Sequence, residues 1–126
     1  MLFLPVAAEF KPQIIIRNGG SDPHFADELT QLGLPVRGLR MIGEKVRELS
    51  KICDGKEIDL IGSGYNGRVL PWGWLALISG LVGFKIKIEE PIPIPQKLEK
   101  DSSFEETKMV IAEVKRSLKD YWQCFK

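Results

Sequence analysis

The hydrophobic pattern of the first half of the chain predicts a strand followed by a long amphipathic helix. Residues 14–16 are three consecutive isoleucines, and this β-branched run predicts a fully buried strand that ends at Gly19 and Gly20. Between residues 35 and 54, apolar positions recur at steps of three and four, while charged residues occupy the opposite face. A proline in the first turn and Gly55 after the last turn suit the two ends of this helix.

A second strand and a second helix follow in the sequence. Residues 58–61 predict a short strand, which completes a strand–helix–strand unit whose two strands run parallel. The carboxyl ends of parallel strands meet at one edge of the sheet, where open α/β folds bind their ligands. We therefore expect the loops that carry Asp22 and Tyr65 to lie side by side. Residues 69–83 are apolar nearly all round, which predicts a core helix.

The remaining segments predict smaller elements around this unit. Residues 2–9 predict a short helix or strand, and the alternation at residues 85–88 predicts a third strand. Prolines predict an extended connector, and a capping-box pattern starting at Ser103 predicts a last helix. We expect one domain over residues 1–126, with a core at 9–90, a connector at 91–102 and a C-terminal helix at 103–125.

Composition and charge narrow the possible classes of protein. The chain has 126 residues, of which 18 are basic and 17 acidic, and a net charge of +1 gives no broad attraction to nucleic acid or anionic membrane. Cys53 and Cys124 have no metal-ligand spacing and predict reduced thiols. The N-terminal residues lack the basic segment of a signal peptide, and the apolar run at 69–84 is shorter than the roughly 20 residues that span a bilayer. We therefore expect a cytoplasmic protein.

The glycine-rich loop from Gly62 to Gly67 is the first candidate for chemistry. It satisfies G-x-G-x-x-G, follows a strand, precedes a helix, and is followed by acidic residues a little over twenty positions on. This is the context of a dinucleotide-binding or S-adenosylmethionine-binding module. Pro71 in the first turns of the helix and the bulky Tyr65 in the loop count against that interpretation.

Two motifs taken together resemble the histone deacetylase family. Gly20-Ser21-Asp22, with Asp27 five residues on and Leu29 after it, resembles the zinc-ligand loop of that family. Residues 61–66 resemble the glycine-rich loop that carries its catalytic tyrosine, and Trp74 falls where the family has a tryptophan. The resemblance covers residues 9–84 and is closest to the prokaryotic acetoin-utilization and acetylpolyamine deacetylases. It implies the C-terminal portion of a partial three-layer α/β/α fold of the arginase/deacetylase type, with a short parallel sheet flanked by helices.

The resemblance also implies a role for each matching residue. Asp22 matches a zinc ligand, and Tyr65 matches the tyrosine that hydrogen-bonds the carbonyl of an acetyl-lysine-like amide. Leu29 and Gly64 match positions at the substrate channel. Asp27 matches a carboxylate with a supporting role.

The family's other zinc ligands and its pair of catalytic histidines have no counterpart in this chain. Its one histidine, His24, cannot supply a ligand and a pair, and we interpret it as a loop or surface residue. One aspartate cannot hold a catalytic zinc. We therefore expect a deacetylase fragment that is inactive alone and forms a homo-oligomer or pairs with a chain supplying the missing N-terminal half. A non-catalytic interaction protein is a further alternative.

Overall fold

The computed structural model describes residues 2–30, 32–98 and 103–126. These residues form four α-helices and one two-stranded sheet. The elements in chain order are α1 (Phe3–Phe10), β1 (Ile15–Gly20), α2 (Val36–Ser50), β2 (Glu57–Ser63), α3 (Leu70–Val82) and α4 (Phe104–Leu118). Single 3₁₀ turns lie at Lys51–Cys53, Gln96–Leu98 and Gln123–Phe125.

The two strands pair in parallel, as the strand–helix–strand pattern predicts. Ile16 lies opposite Ile58, and the Ser21 amide donates to the Ser63 carbonyl at 2.9 Å just beyond the end of β1. The α/β class with a short parallel sheet flanked by helices is therefore confirmed. Whether residues 1–126 form one domain with the three predicted parts stays a prediction, and residues 99–102 of the connector lie outside the described residues.

Helices α2 and α3 pack closely because both have a glycine at their crossing point. A Cβ atom on Gly43 would run into the backbone of α3 at Leu77, and one on Gly80 would run into the Arg40 carbonyl. The buried core lies beside this crossing, and its fully buried residues are Val36, Leu39, Ala76 and Leu77. Small residues thus let the two backbones approach, and the core fills the space between the helices.

The first strand is not fully buried, so that prediction was wrong. Burial alternates along both strands, and Ile16 is 63% exposed on the same face of the sheet as Ile58 and Leu60. On the opposite face, Ile15 lines an apolar groove together with Ile42 of α2. One sheet face packs towards the helices, whereas the described residues leave the other face uncovered.

The core-helix prediction for residues 69–83 holds for only one face of α3. Ala76 and Leu77 are fully buried, but Trp72, Leu75 and Ile78 are each more than 40% exposed. These three residues are spaced three apart and therefore lie along one side of the helix. The helix is apolar on a side that the described residues leave partly exposed.

The predicted third strand at residues 85–88 is wrong, since the structure has no strand there. The guanidinium of Arg40 donates to the Phe84 carbonyl at 3.1 Å and to the Ile86 carbonyl at 2.8 Å. Ile88 packs against the core. Contacts with the Arg40 side chain of α2 and with the core therefore fix this segment, and no neighbouring strand of the described chain pairs with it.

The two ends of the chain contact each other. The choice between helix and strand for residues 2–9 is resolved as helix α1, and Glu9 near its end accepts the amides of Gln123 and Cys124 at 2.9 and 2.8 Å. The last helix is confirmed as α4, but it has no buried residue. Among the described residues, no helix is long and apolar enough to cross a membrane.

Candidate functional site

The Asp22 loop and the Tyr65 loop meet beyond the carboxyl ends of the two strands, as expected. The Ser63 hydroxyl donates to Oδ1 of Asp22, and the side-chain amide of Asn66 donates to the Ala26 carbonyl at 2.7 Å. The backbone amide of Tyr65 donates to Asp27 at 2.8 Å. Parallel pairing of the strands therefore places the two predicted site loops against each other.

Asp27 is one of the residues that join the loops, and it accepts three backbone hydrogen bonds. Its Oδ1 accepts the amides of Leu29 and Thr30 at 2.9 and 3.0 Å, and its Oδ2 accepts the amide of Tyr65. Burial raises the pKa of this carboxyl, but the three amide hydrogen bonds outweigh burial, and the net pKa lies below its usual value. A carboxylate fixed by three donors can hold both loops in one conformation, although its role in a reaction stays a prediction.

Asp22 lies at the start of the first loop, where short contacts hold its position. Its backbone carbonyl accepts from the Thr30 hydroxyl, and its carboxylate accepts from the Ser63 hydroxyl. The side chain is only partly buried. Of the two aspartates, Asp22 is therefore the more accessible to a ligand.

Tyr65 and Leu29 are exposed at this edge of the molecule, at 51% and 70% of their surface. The preceding Gly64 has a positive φ of 140°, and a Cβ atom there would overlap the Ser21 side chain and Leu70. Only glycine fits both the conformation and the space. The loop can therefore pass directly over Ser21 and turn outward at Tyr65.

Trp74 and Ser63 also hold the loops together, but the sequence pattern points only to Trp74. Trp74 falls where the resembled family has a tryptophan, and its indole N–H donates to the Ser63 carbonyl at 3.0 Å. Ser63 itself was not singled out, although its hydroxyl and carbonyl serve Asp22, Ser21 and Trp74. Its position between two glycines after a strand was the only available signal.

His24 is a loop residue but not a surface residue, so that part of the prediction was wrong. Its side chain is fully buried and stacks near Phe25 with ring centroids 4.3 Å apart. Nδ1 accepts the Ala26 amide at 3.1 Å, and Nε2 lies 2.8 Å from Oε1 of Glu90. Both ring nitrogens are therefore occupied inside the chain. Glu90 is one of the acidic residues that follow the glycine-rich loop, and its contact with His24 is not predicted by the sequence pattern.

The residues present do not fit a zinc centre by themselves. A catalytic zinc takes three protein ligands and one open position. Among the described residues, no group of three or more His, Cys, Asp and Glu side chains is placed to hold a metal ion. His24 uses both nitrogens, and Asp27 uses both oxygens, so Asp22 alone remains as a candidate ligand.

The contacts of the glycine loop also disfavour phosphate binding. In a phosphate-binding loop, free backbone amides point at the ligand. Here the Tyr65 amide is bound to the Asp27 carboxylate, and the Arg68 amide donates to the Asn66 side chain at 3.0 Å. A negative charge already occupies the position that a phosphate would need.

The fold and the two joined loops define an α/β protein with a polar site at the carboxyl edge of its sheet. The sequence model of the histone deacetylase domain matches residues 1–81. The chain belongs to the histone deacetylase family.

Individual relatives agree with this assignment. A protein of Archaeoglobus fulgidus described as "Probable deacetylase" is 38% identical over 128 residues, which cover 97% of this chain and 36% of that protein. The acetoin utilization protein AcuC of Staphylococcus xylosus is 37% identical over 81 residues, covering 63% of this chain and 21% of AcuC. The AcuC of Bacillus subtilis is 38% identical over 71 residues, which cover 55% of this chain and 18% of that protein. The chain thus spans about a third or less of the length of these relatives.

Proposed function

We propose that this chain supplies one side of a zinc-dependent deacetylase site that hydrolyses acetyl-lysine-like amides. The observation that carries the proposal is the carboxylate of Asp27, which binds the amide of Tyr65 and so joins the two loops of the family's motifs. In this proposal Asp22 is one zinc ligand and Tyr65 is the catalytic residue. Leu29 and Gly64 border the substrate channel.

Tyr65 is proposed to act on the substrate carbonyl. A phenolic hydroxyl that donates to the carbonyl oxygen stabilises the negative charge that develops there as the amide is attacked. Such a donor is effective only when it is held in position before the reaction. The hydrogen bond from the Tyr65 backbone amide to Asp27 helps to hold Tyr65 in this way, because it fixes the backbone from which the side chain extends.

The chain is proposed to need a complement, which supplies the other metal ligands and the general base. Two observations support this. The chain covers 36% of its Archaeoglobus relative, and its apolar sheet face at Ile16 and Leu60 is exposed. Parallel sheets are ordinarily covered on both faces. A segment from a second chain is the proposed cover, and copies of this chain would associate in its absence. A cytoplasmic location also remains a proposal.

The test compares the pure chain with a complemented complex. The pure chain is assayed for acetate release from acetyl-lysine peptides with and without Zn²⁺, and no release is expected. It is then co-expressed with the portion of the Archaeoglobus protein that lies outside the matched segment. Zinc-dependent release is expected from that complex alone.

Two variants examine the proposed residues in the complex. Tyr65→Phe removes only the hydroxyl and is expected to lower kcat by about 10²–10³-fold, the usual effect of losing one oxyanion donor. Asp22→Asn is expected to weaken zinc binding and activity together. Tyr121→Phe, at a tyrosine 80% exposed on the far C-terminal segment, is the matched control and should leave kcat unchanged.

Release of acetate by the pure chain would refute the need for a complement. A stable but inactive complex would favour a non-catalytic interaction protein.

A further inference from the structure

Glu90 reaches the candidate site from outside the segment that the family model matches. That match ends at residue 81, and Glu90 follows nine residues later. Its Oε1 lies 2.8 Å from Nε2 of His24, and its Oε2 accepts the Val36 amide at 2.8 Å. The side chain is 17% exposed. One carboxylate thus bridges the first turn of α2 and the centre of the Asp22 loop.

The contacts of His24 fix the position of its ring hydrogen. Nδ1 accepts the Ala26 amide and therefore carries no hydrogen, so the hydrogen lies on Nε2 and is donated to Glu90. The backbone of His24 is part of the loop as well. Its amide donates to the Ser21 carbonyl at 3.0 Å, and its carbonyl accepts the Asp27 amide at 2.9 Å. Holding the ring therefore holds the loop between the two aspartates.

The segment that carries Glu90 is itself anchored. Arg40 holds the carbonyls of Phe84 and Ile86, and Ile88 packs against the buried core. A carboxylate at the first turn of α2 is also favoured by the helix dipole. Glu90 is therefore fixed from both directions, by the backbone that precedes it and by the helix end that it contacts.

We propose that Glu90 is a positioning residue for the candidate deacetylase site. Through His24 it sets the conformation of the loop that carries Asp22 and Asp27, and through Asp27 that of the Tyr65 loop. The clamp between Glu90 and His24 stands on its own contacts, whereas its effect on catalysis rests on the proposed function.

The clamp is tested by nuclear magnetic resonance on the labelled full chain. The wild type is expected to show a slowly exchanging hydrogen on Nε2 of His24 and none on Nδ1. Glu90→Ala should abolish that signal and speed hydrogen exchange at the Ala26 and Asp27 amides by about tenfold, as expected for one charge-assisted hydrogen bond. Protection of the Ala76 amide in α3 reports that the fold is intact.

Two further variants sharpen this test. Glu90→Gln keeps the shape but offers one acceptor oxygen in place of two, so exchange rates between those of the wild type and Glu90→Ala are expected. Glu89→Ala is the matched control, since Glu89 is 76% exposed and forms an ion pair with the exposed Lys87 at 2.7 Å. It should leave the His24 signal unchanged. An unchanged His24 signal in Glu90→Ala would refute the clamp.

The link to catalysis is measured in the complemented complex. Glu90→Ala is expected to lower kcat by about tenfold with KM little changed, since a displaced loop impairs the reaction more than it impairs binding. A lost clamp with unchanged kcat would refute positioning of the site. If the wild-type complex is inactive, the proposed function fails, and the resonance measurement still decides the clamp.

Discussion

The carboxylate of Asp27 shows how one buried side chain can hold two loops through backbone amides alone. All three of its donors are backbone amides, from Leu29, Thr30 and Tyr65. Every residue except proline keeps its backbone amide donor, so the acceptor is the simplest point at which this arrangement can be broken. Replacement of Asp27 should therefore affect both loops at once.

The lowered pKa of Asp27 predicts an acid-sensitive stability. Because its folded pKa lies below the usual value of 3.8, the carboxylate stabilises the fold above that value, and the contribution is lost as pH falls through the folded pKa. Asp27→Asn is expected to lower the free energy of unfolding at pH 7 by about 1–3 kcal/mol. The difference from the wild type should shrink below about pH 4. Urea unfolding at several pH values measures both effects.

Asp54→Asn is the control for this prediction. Asp54 is exposed and has a φ of 57°, a left-handed conformation that asparagine adopts readily. Its unfolding curves should follow the wild type at every pH. If Asp27→Asn and the wild type differ by the same amount at acid and neutral pH, the assigned role of the Asp27 charge is wrong.

The meeting of the two loops was predictable from sequence, but the residues that surround them were not. Asp22, Asp27 and Tyr65 follow strand ends, and parallel strands deliver such residues to one edge. Glu90 and His24 are 66 residues apart, with no periodic pattern to connect them. Whether a lone histidine is buried depends on a distant partner of this kind, which explains the wrong surface assignment.

At the level of elements, the glycines of the α2–α3 crossing are the most restrictive feature. Gly43 and Gly80 each face backbone atoms of the opposite helix. In an isolated helix alanine is preferred to glycine by about 1 kcal/mol. At this crossing, contact between the backbones outweighs that preference.

Gly80→Ala is therefore expected to destabilise the protein. The new methyl group would overlap the Arg40 carbonyl, and overpacking of this kind costs about 1–3 kcal/mol, more than the gain in helix propensity. Thermal unfolding should show a lower Tm. Gly67→Ala is the control, because a Cβ atom at Gly67 would have no neighbour within 4 Å. A raised Tm for Gly80→Ala would contradict the close crossing.

Periodicity identified the helices and strands but not which faces are covered. The three- and four-residue spacing predicted α2, and the isoleucine run predicted β1. Burial of Ile16 and Trp72, however, depends on which other elements pack against them. The local sequence pattern carries no information about those neighbours. The alternation at residues 85–88 likewise lacked a neighbouring strand, and Arg40 took two of the carbonyls in this region.

At the scale of the whole molecule, two uncovered apolar surfaces stand out. The sheet face exposes Ile16, Ile58 and Leu60, each by more than 40%, and α3 exposes Trp72 and Ile78 to a similar degree. Contiguous exposed apolar surface ordinarily marks a contact with another protein or leads to aggregation. It is the main physical reason to expect that the chain does not act as an isolated monomer.

The pure chain is expected to self-associate at micromolar concentration, and sedimentation velocity measures this directly. Leu60→Lys places a charge at the centre of the sheet face and should shift the distribution towards monomer. Met109→Lys, at an even more exposed apolar residue of α4, is the control and should leave the distribution unchanged. A monomeric wild type at that concentration would contradict the expectation.

The contact of Glu9 with the amides of Gln123 and Cys124 has a consequence for the order of folding. It joins residues 114 and 115 positions apart, whereas the ion pair of Arg17 and Asp59 between the strands closes a loop of 42. Longer loops cost more entropy to close, and local contacts form sooner. We therefore expect the strands and their helices to form first and the chain ends to join last. On heating, the ends should separate while the loops of the candidate site are still intact.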